Sequence, residues 1–278
     1  MKIKSFFCVI LLIVSVYTYA QGEAAGNDWS KMGLKGKVKS IKETPYEAIG
    51  YSGEYHKGNL APRGFANNEF SFDKTGKLLK EISYNKNGGV SNIYTYNYDS
   101  KGLLLSKDTY DSKGKFEEKS VYKHDFQGNI TEENLYNTNG KLKSNNYYIY
   151  RYDEKGNQVE RYVFVYGTDE EGNFSFDENG TAKIEIIYKE ENSYDQKGNK
   201  IKSTIQDLIF GKTEISYEYD NSGNLVRKIE AGGVLDGKEN ITCKYKFDSK
   251  GNWIEMTKTI TSQGHSKNLI IERNIEYY

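Results

Sequence analysis

A five-residue word recurs along most of this chain: an aromatic residue, Asp or Asn, two variable residues, then Gly. "FDKTG" ends at Gly76, "YNKNG" at Gly88, "YDSKG" at Gly102 and again at Gly114, "HDFQG" at Gly128 and "YNTNG" at Gly140. "YDEKG" ends at Gly156, "FDENG" at Gly180, "YDQKG" at Gly198, "YDNSG" at Gly223 and "FDSKG" at Gly251, with a degenerate "TDEEG" at Gly172. From Gly76 to Gly140 the spacings are 12, 14, 12, 14 and 12, so alternate glycines stand 26 apart. A fixed period constrains the chain to a series of like units.

The word has a physical meaning. Asp or Asn opens a turn by hydrogen-bonding its side chain to the backbone two residues on. Gly then takes the left-handed conformation that other residues resist. Each word is therefore a corner between two antiparallel strands. The corners with Asp are Asp73 to Gly76, Asp99 to Gly102, Asp111 to Gly114, Asp125 to Gly128, Asp153 to Gly156, Asp195 to Gly198, Asp220 to Gly223 and Asp248 to Gly251. Between corners the chain alternates with period two. Tyr94, Tyr96 and Tyr98 share one face with Val90, and Tyr148, Tyr150 and Tyr152 share another with Leu142. This is the half-buried strand pattern. Only 36% of the residues are hydrophobic but 25 are Tyr, so aromatic rings must supply much of the buried area.

The first twenty residues are of another kind. Lys2 and Lys4 precede an apolar run from Phe6 to Val16, and Thr18 and Ala20 frame a cut before Gln21. This is a secretory signal peptide, cleaved between Ala20 and Gln21. The run is shorter than the about 20 residues of a spanning helix, and the mature chain contains no transmembrane segment. Without Lys2 and Lys4 the 39 acidic residues exceed the bases by two. No basic stripe favours nucleic acid. Cys243 is the one cysteine outside the leader, so no intrachain disulfide forms in the mature chain.

Three regions follow: a signal peptide at 1–20, an N-terminal cap segment at 21–71 and a hairpin array at 72–278. Within the cap, 34–48 reads as a strand at an edge, because Pro45 stands at its end.

The words with their following residues, "YDEKGNQVERYV", "YDNSGNLVRKIE" and "FDSKGNWIEMTK", resemble YD repeats of the RHS kind in secreted proteins of the Bacteroidetes type. The resemblance covers roughly 72–260. It implies long antiparallel strands, a secreted or surface location, and a carbohydrate-binding role. Lys77, Gly89, Leu103, Lys115, Lys141 and Thr181 replace the Asn that the pattern places after Gly. The chain carries no toxin domain, so a toxin function does not transfer.

No residue set points to catalysis. His56, His124 and His265 are scattered and lack metal-ligand spacing. There is no Gly-x-Ser-x-Gly elbow. Asp169, Glu170, Glu171, Asp177, Glu178 and Asn179 cluster, but an EF-hand with Gly180 at its sixth position would need acids where Ser175 and Ile186 stand. Cys243 alternates with Ile241 and Tyr245 and reads as a buried thiol. The tyrosines read first as cross-strand pairs that replace an aliphatic core. As ligand-binding candidates they are Tyr94, Tyr96, Tyr147 and Tyr150, and Tyr147 points opposite to Tyr148.

The sequence thus predicts an all-β protein of repeated antiparallel hairpins forming an elongated, twisted or curled sheet. It predicts export to the periplasm, outer surface or medium, and a non-enzymatic binding or scaffold role without cofactors. The partner is carbohydrate or another envelope protein. The alternatives are a glycan hydrolase with paired carboxylates and an assembly module that pairs through a sheet edge.

Overall fold

The computed structural model describes residues 27–51, 54–62, 67–166, 183–233 and 237–278. The leader with Ala20 and Gln21, and the acidic cluster from Asp169 to Asn179, lie outside the described residues. A four-residue helix, α1 (Asp28–Lys31), precedes the strands. The first are β1 (Val38–Tyr51), β2 (Glu54–Leu60), β3 (Asn68–Phe72), β4 (Leu78–Tyr84), β5 (Val90–Tyr98), β6 (Leu104–Asp111), β7 (Phe116–His124), β8 (Ile130–Asn137) and β9 (Leu142–Tyr152). Then come β10 (Gln158–Tyr166), β11 (Ile184–Tyr194), β12 (Lys200–Asp207), β13 (Gly211–Tyr219), β14 (Leu225–Gly232), β15 (Gly237–Phe247), β16 (Trp253–Ser262) and β17 (His265–Tyr277).

The sheet is not the open, elongated array that the repeats suggest. From β3 to β17 each strand pairs antiparallel with the next. The last strand then pairs with the first: Ile41 faces Ile275, Glu43 faces Arg273 and Glu47 faces Leu269. The other edge of β1 pairs with β3 over Ser40–Lys42. Sixteen strands, β1 and β3 to β17, close into an antiparallel barrel. Closure satisfies the two rows of N–H and C=O groups that an open array would expose. The strand β2 stands outside the ring and extends the same edge of β1, with Tyr46 facing Leu60.

Pro45 explains why the edge reading of β1 fails. The carbonyl of Pro45 accepts from the Ala61 amide at 2.9 Å. Within a strand, N and O of one residue point to the same side, so the Pro45 nitrogen also faces this edge. It falls between the last β3 pair, Lys42 with Glu69, and the first β2 pair, Tyr46 with Leu60. The missing N–H is thus placed where β1 changes partner, and the ladder to β17 runs through intact.

The corners explain the 12–14 alternation. Glycines 26 apart lie at one end of the barrel, because two strands return the chain to the same rim. Seven Asp corners, from Asp73, Asp99, Asp125, Asp153, Asp195, Asp220 and Asp248, form one rim. Asp111 and the Asn corners at Asn85 and Asn137 lie at the other. In every Asp corner Oδ1 accepts the amides of the residues two and four further on, at 2.7–3.0 Å. Gly114 and Gly128 mark the range of the closing glycines, at φ 79° and 90°. In "YDxxGN" copies the Asn gives its amide to the second Asp oxygen, as Asn157 does to Asp153 at 2.8 Å.

One apolar cluster lies at the Asp-corner rim. There Trp29 of α1 packs with Leu34, Val38, Ile41, Phe70 and Phe72. The Asp28 amide donates to the Gly76 carbonyl at 2.8 Å, and the Trp29 indole donates to the Val38 carbonyl at 2.8 Å. Residues 27–37 therefore lie across this rim, while the rest of the cap segment supplies wall strands.

Candidate functional site: the inner face of the barrel

Period-two alternation divides the wall into two faces. Ile41, Ser120, Ser203, Ile215, Ile241 and Leu269 come from six strands, share one face by register and are all buried. Among the described residues only α1 lies against the wall. In a ring one layer thick, the face buried all the way round is the inner one.

This inner face mixes aliphatic residues with aromatic and charged ones. On β1 and β17 the Arg273 guanidinium donates to Glu43 at 2.8 Å and lies 3.5 Å over the Trp253 ring. On β4 and β5 the Tyr96 hydroxyl donates to Glu81 at 2.9 Å. Burial raises the Glu81 carboxyl above its ordinary range, against the hydrogen bond from Tyr96 and the charge of Lys107. The Lys107 ammonium itself lies 5.7 Å over the Tyr94 ring. On β8 and β9 the Tyr148 hydroxyl donates to Glu133 at 2.9 Å. Tyr148, Tyr150 and Tyr152 form a ladder along β9, with consecutive centroids 6.4 Å apart.

The next sector joins β10, β11 and β12. Glu190 takes Arg161 at 3.3 Å and Lys200 at 3.0 Å. Burial opposes the Glu190 charge, but Lys200 and Arg161 overcome it and hold the carboxyl low. Burial and the Glu190 charge push the Tyr188 hydroxyl up to about 12. Ser203 donates to Asn192 at 2.6 Å. Beside this sector, at the Asp-corner rim, a cleft of about 320 Å³ is lined by Asp153, Asn157, Val159, Asn192, Tyr194 and Asp195.

The word tyrosines also tie the wall. Tyr98 donates to the Leu78 carbonyl at 2.9 Å, Tyr194 to Gln158 at 2.7 Å and Tyr219 to Lys200 at 2.9 Å. Each reaches the residue that opens the preceding strand. Cys243 is buried on the inner face, and burial pushes its thiol up.

The candidate tyrosines separate. Tyr94 and Tyr96 on β5 and Tyr150 on β9 are inner residues, brought to one interior but not to one point. Tyr147 is on the outer face and half-buried. Its ring stacks on Phe164 at 5.5 Å and 13° and meets Tyr166 edge-on at 4.9 Å. The partners Glu81, Glu133, Arg161, Glu190 and Arg273 escaped the sequence reading. The signal that could have found them is register: each stands on the strand parity that faces a tyrosine stripe.

Ion pairs recur along the outer face, among exposed apolar residues such as Ile149 and Ile186. Lys119 pairs with Asp108 at 3.1 Å, Lys123 with Glu132 at 2.8 Å, Arg151 with Glu160 at 3.1 Å and Lys202 with Glu214 at 3.8 Å. Arg227 pairs with Glu218 at 3.3 Å, Lys246 with Glu255 at 2.6 Å and Lys57 with Glu272 at 2.8 Å.

Among solved structures, the chain is similar in fold to a porin-like protein from Bacteroides uniformis ATCC 8492. The TM-score is 0.52 at 10% identity, over 86% of this chain and 98% of that one. The likeness is one of fold alone, a closed antiparallel barrel. A match to TcdB2-TccC3 without its hypervariable C-terminal region has a TM-score of 0.23 at 12% identity, over 81% of this chain and 17% of that one. A score at that level carries no structural argument. No protein-family model matches, and no curated protein matches. The RHS-type resemblance therefore rests on the repeated word itself. Among the described residues no helix is long and apolar enough to cross a membrane, which leaves spanning by strands a separate question.

Proposed function

We propose that the chain is an exported, non-enzymatic binding protein of the cell envelope whose barrel stands in water and holds a glycan on its inner face. The observation that carries the reading is the Tyr148–Tyr150–Tyr152 ladder, flanked by Glu133 and Arg161. Aromatic faces stack on the C–H faces of sugar rings, and fixed carboxylates, amides and guanidinium groups hydrogen-bond the hydroxyls. Export is supported by the leader.

The outer wall supports an aqueous setting over a membrane pore. A spanning barrel presents an apolar band about 25 Å tall to lipid. Here that band would bury ion pairs on several sectors of the wall, from β6–β7 to β15–β16. The state of the inner acids supports binding over hydrolysis. Glu43, Glu81, Glu133 and Glu190 are each engaged by Arg273, Tyr96, Tyr148 or the Arg161–Lys200 pair. Closure of the sheet leaves little for assembly by strand addition.

The test is a glycan array followed by calorimetry on the hits. Tyr150→Ala should weaken binding at least about tenfold, in line with the loss of one stacking ring and its buried contacts. Tyr147→Ala, on the outer face, should leave binding unchanged. Loss in Tyr147→Ala alone moves the site outside the barrel. A silent array, or partition of the folded chain into liposomes, refutes the reading.

A further inference from the structure

One inner cation stands in an apolar setting. Arg161, Lys200, Lys228 and Arg273 each hold a carboxylate at ion-pair distance. Among the described residues Lys107 and Lys258 hold none; Lys107 lies over the Tyr94 ring, while Lys258, on β16, has no aromatic face beneath it. In the ladder it stands between Cys243 of β15 and Leu269 of β17. Both are buried, Leu269 completely, and Ile241 beside Cys243 is buried too. Met256 and Ile260 continue the same face along β16. The amine is thus set among thioether, thiol and aliphatic groups. The charged groups that face it are Lys228 of β14 and Glu239 of β15, both beyond ion-pair distance, and the Lys228 ammonium is itself taken by Glu230 at 2.7 Å.

We propose that Lys258 is a carbonyl-capturing amine, a nucleophilic lysine that forms a reversible imine with an aldehyde admitted to the inside of the barrel. The step balances without an oxidant or reductant. The nitrogen lone pair attacks the carbonyl carbon, and the C=O electrons go to oxygen, which takes up a proton. The carbinolamine then loses one water as the C=N bond forms. The physical basis is the lack of an ion-pair partner in a setting that disfavours charge. Burial lowers the Lys258 pKa, and the positive charge of Lys228 adds to this, while the Cys243 thiol and Glu239 oppose it. More of the amine is then neutral, and so nucleophilic, at pH 7. The natural aldehyde rests on the glycan reading: it is the open-chain form of a reducing sugar. The reactivity does not depend on that reading.

The experiment uses the full chain, glyceraldehyde and sodium cyanoborohydride at pH 7, which trap an imine as a stable secondary amine. Peptide mapping by mass spectrometry gives the rate at each lysine. Lys258 should be modified at least about fivefold faster than the exposed Lys86, although access alone favours Lys86. Lys228→Met, which removes the neighbouring positive charge, should slow Lys258 and leave Lys86 unchanged. Modification of Lys258 no faster than Lys86 overturns the proposal. The glycan reading is tested apart, with methyl glycosides, which have no free aldehyde and cannot form an imine. Binding of these by Lys258→Met would be retained even if the amine is inert.

Discussion

Removing Arg273 tests the closure of the barrel more directly than any other change. Arg273 is on the last strand and Glu43 on the first, and they face one another in the ladder that joins the ends. Their side chains are only 3% and 6% exposed and meet at 2.8 Å. Arg273→Met keeps an apolar chain of similar length against Trp253 but leaves the Glu43 carboxylate buried without its cation. Breaking a buried pair in this way costs about 3–5 kcal/mol. The double variant Glu43→Leu/Arg273→Met removes both charges and should return to within about 1–2 kcal/mol of the parent, because a buried pair is worth little more than well-packed apolar groups. Urea unfolding followed by tryptophan fluorescence reads both, with Trp253 under the guanidinium as a local reporter. In an open sheet β1 and β17 would be edges, and an exposed pair there would contribute at most about 1 kcal/mol. A loss below that figure in Arg273→Met, or a double variant no better than the single one, would refute the closed seam.

Two further predictions concern the corners. Gly76→Ala and Gly114→Ala impose the same left-handed strain, at φ 89° and 79°, about 1–2 kcal/mol each. A Cβ at Gly76 would also come within 2.7 Å of the Trp29 ring, whereas at Gly114 it meets nothing within 4 Å. Thermal denaturation should show Gly76→Ala as clearly the worse, and equal losses would remove α1 from the stabilising contacts of that rim. The second concerns acid. The Leu103 and Lys115 amides lead in holding Asp99 and Asp111 below their ordinary range, and the Asn157 and Asn199 side chains lead for Asp153 and Asp195. A carboxyl depressed in the fold contributes stability above its unfolded pKa and loses it as pH falls through the folded value. The urea midpoint should therefore hold from pH 7 to about 5 and drop below about 4. A midpoint that stays level to pH 2 would take the corner carboxylates out of the stability of the fold.

The local half of this fold could be read residue by residue. Asp–x–x–Gly states a corner because each of its atoms has one job: Oδ1 takes two amides and Gly supplies the positive φ. The tyrosine stripes state strands because alternation is intrinsic to the pleat. Closure has no such local sign. It depends on strand number, tilt and stagger acting together, and on the match of β1 to β17 across more than two hundred residues. Pro45 pointed the wrong way, because its position in the chain says nothing of which partner its nitrogen faces. The inner site was half visible for a related reason. Tyr94, Tyr96 and Tyr150 announce a face, but Glu81 and Arg161 join it only through register, and a pairing shift by one residue would put them outside. The sequence also does not distinguish lumen from solvent when both faces carry charge, and only closure decides that.

Closure also accounts for how so polar a chain holds one structure. A sheet open at both ends would need an aliphatic face or capping elements to avoid pairing with its neighbours. Here the ring removes the edges, and the aliphatic core can be small: the cluster around Trp29 at one rim and single buried residues such as Ile215, Ile241 and Leu269 along the wall. The rest of the inner face is then free to be built from tyrosines whose hydroxyls are each held, Tyr96 by Glu81, Tyr148 by Glu133 and Tyr98 by the Leu78 carbonyl. Such pairs fix the orientation of the rings. Both faces therefore carry charged side chains held in pairs, Glu43 with Arg273 inside and Lys123 with Glu132 outside.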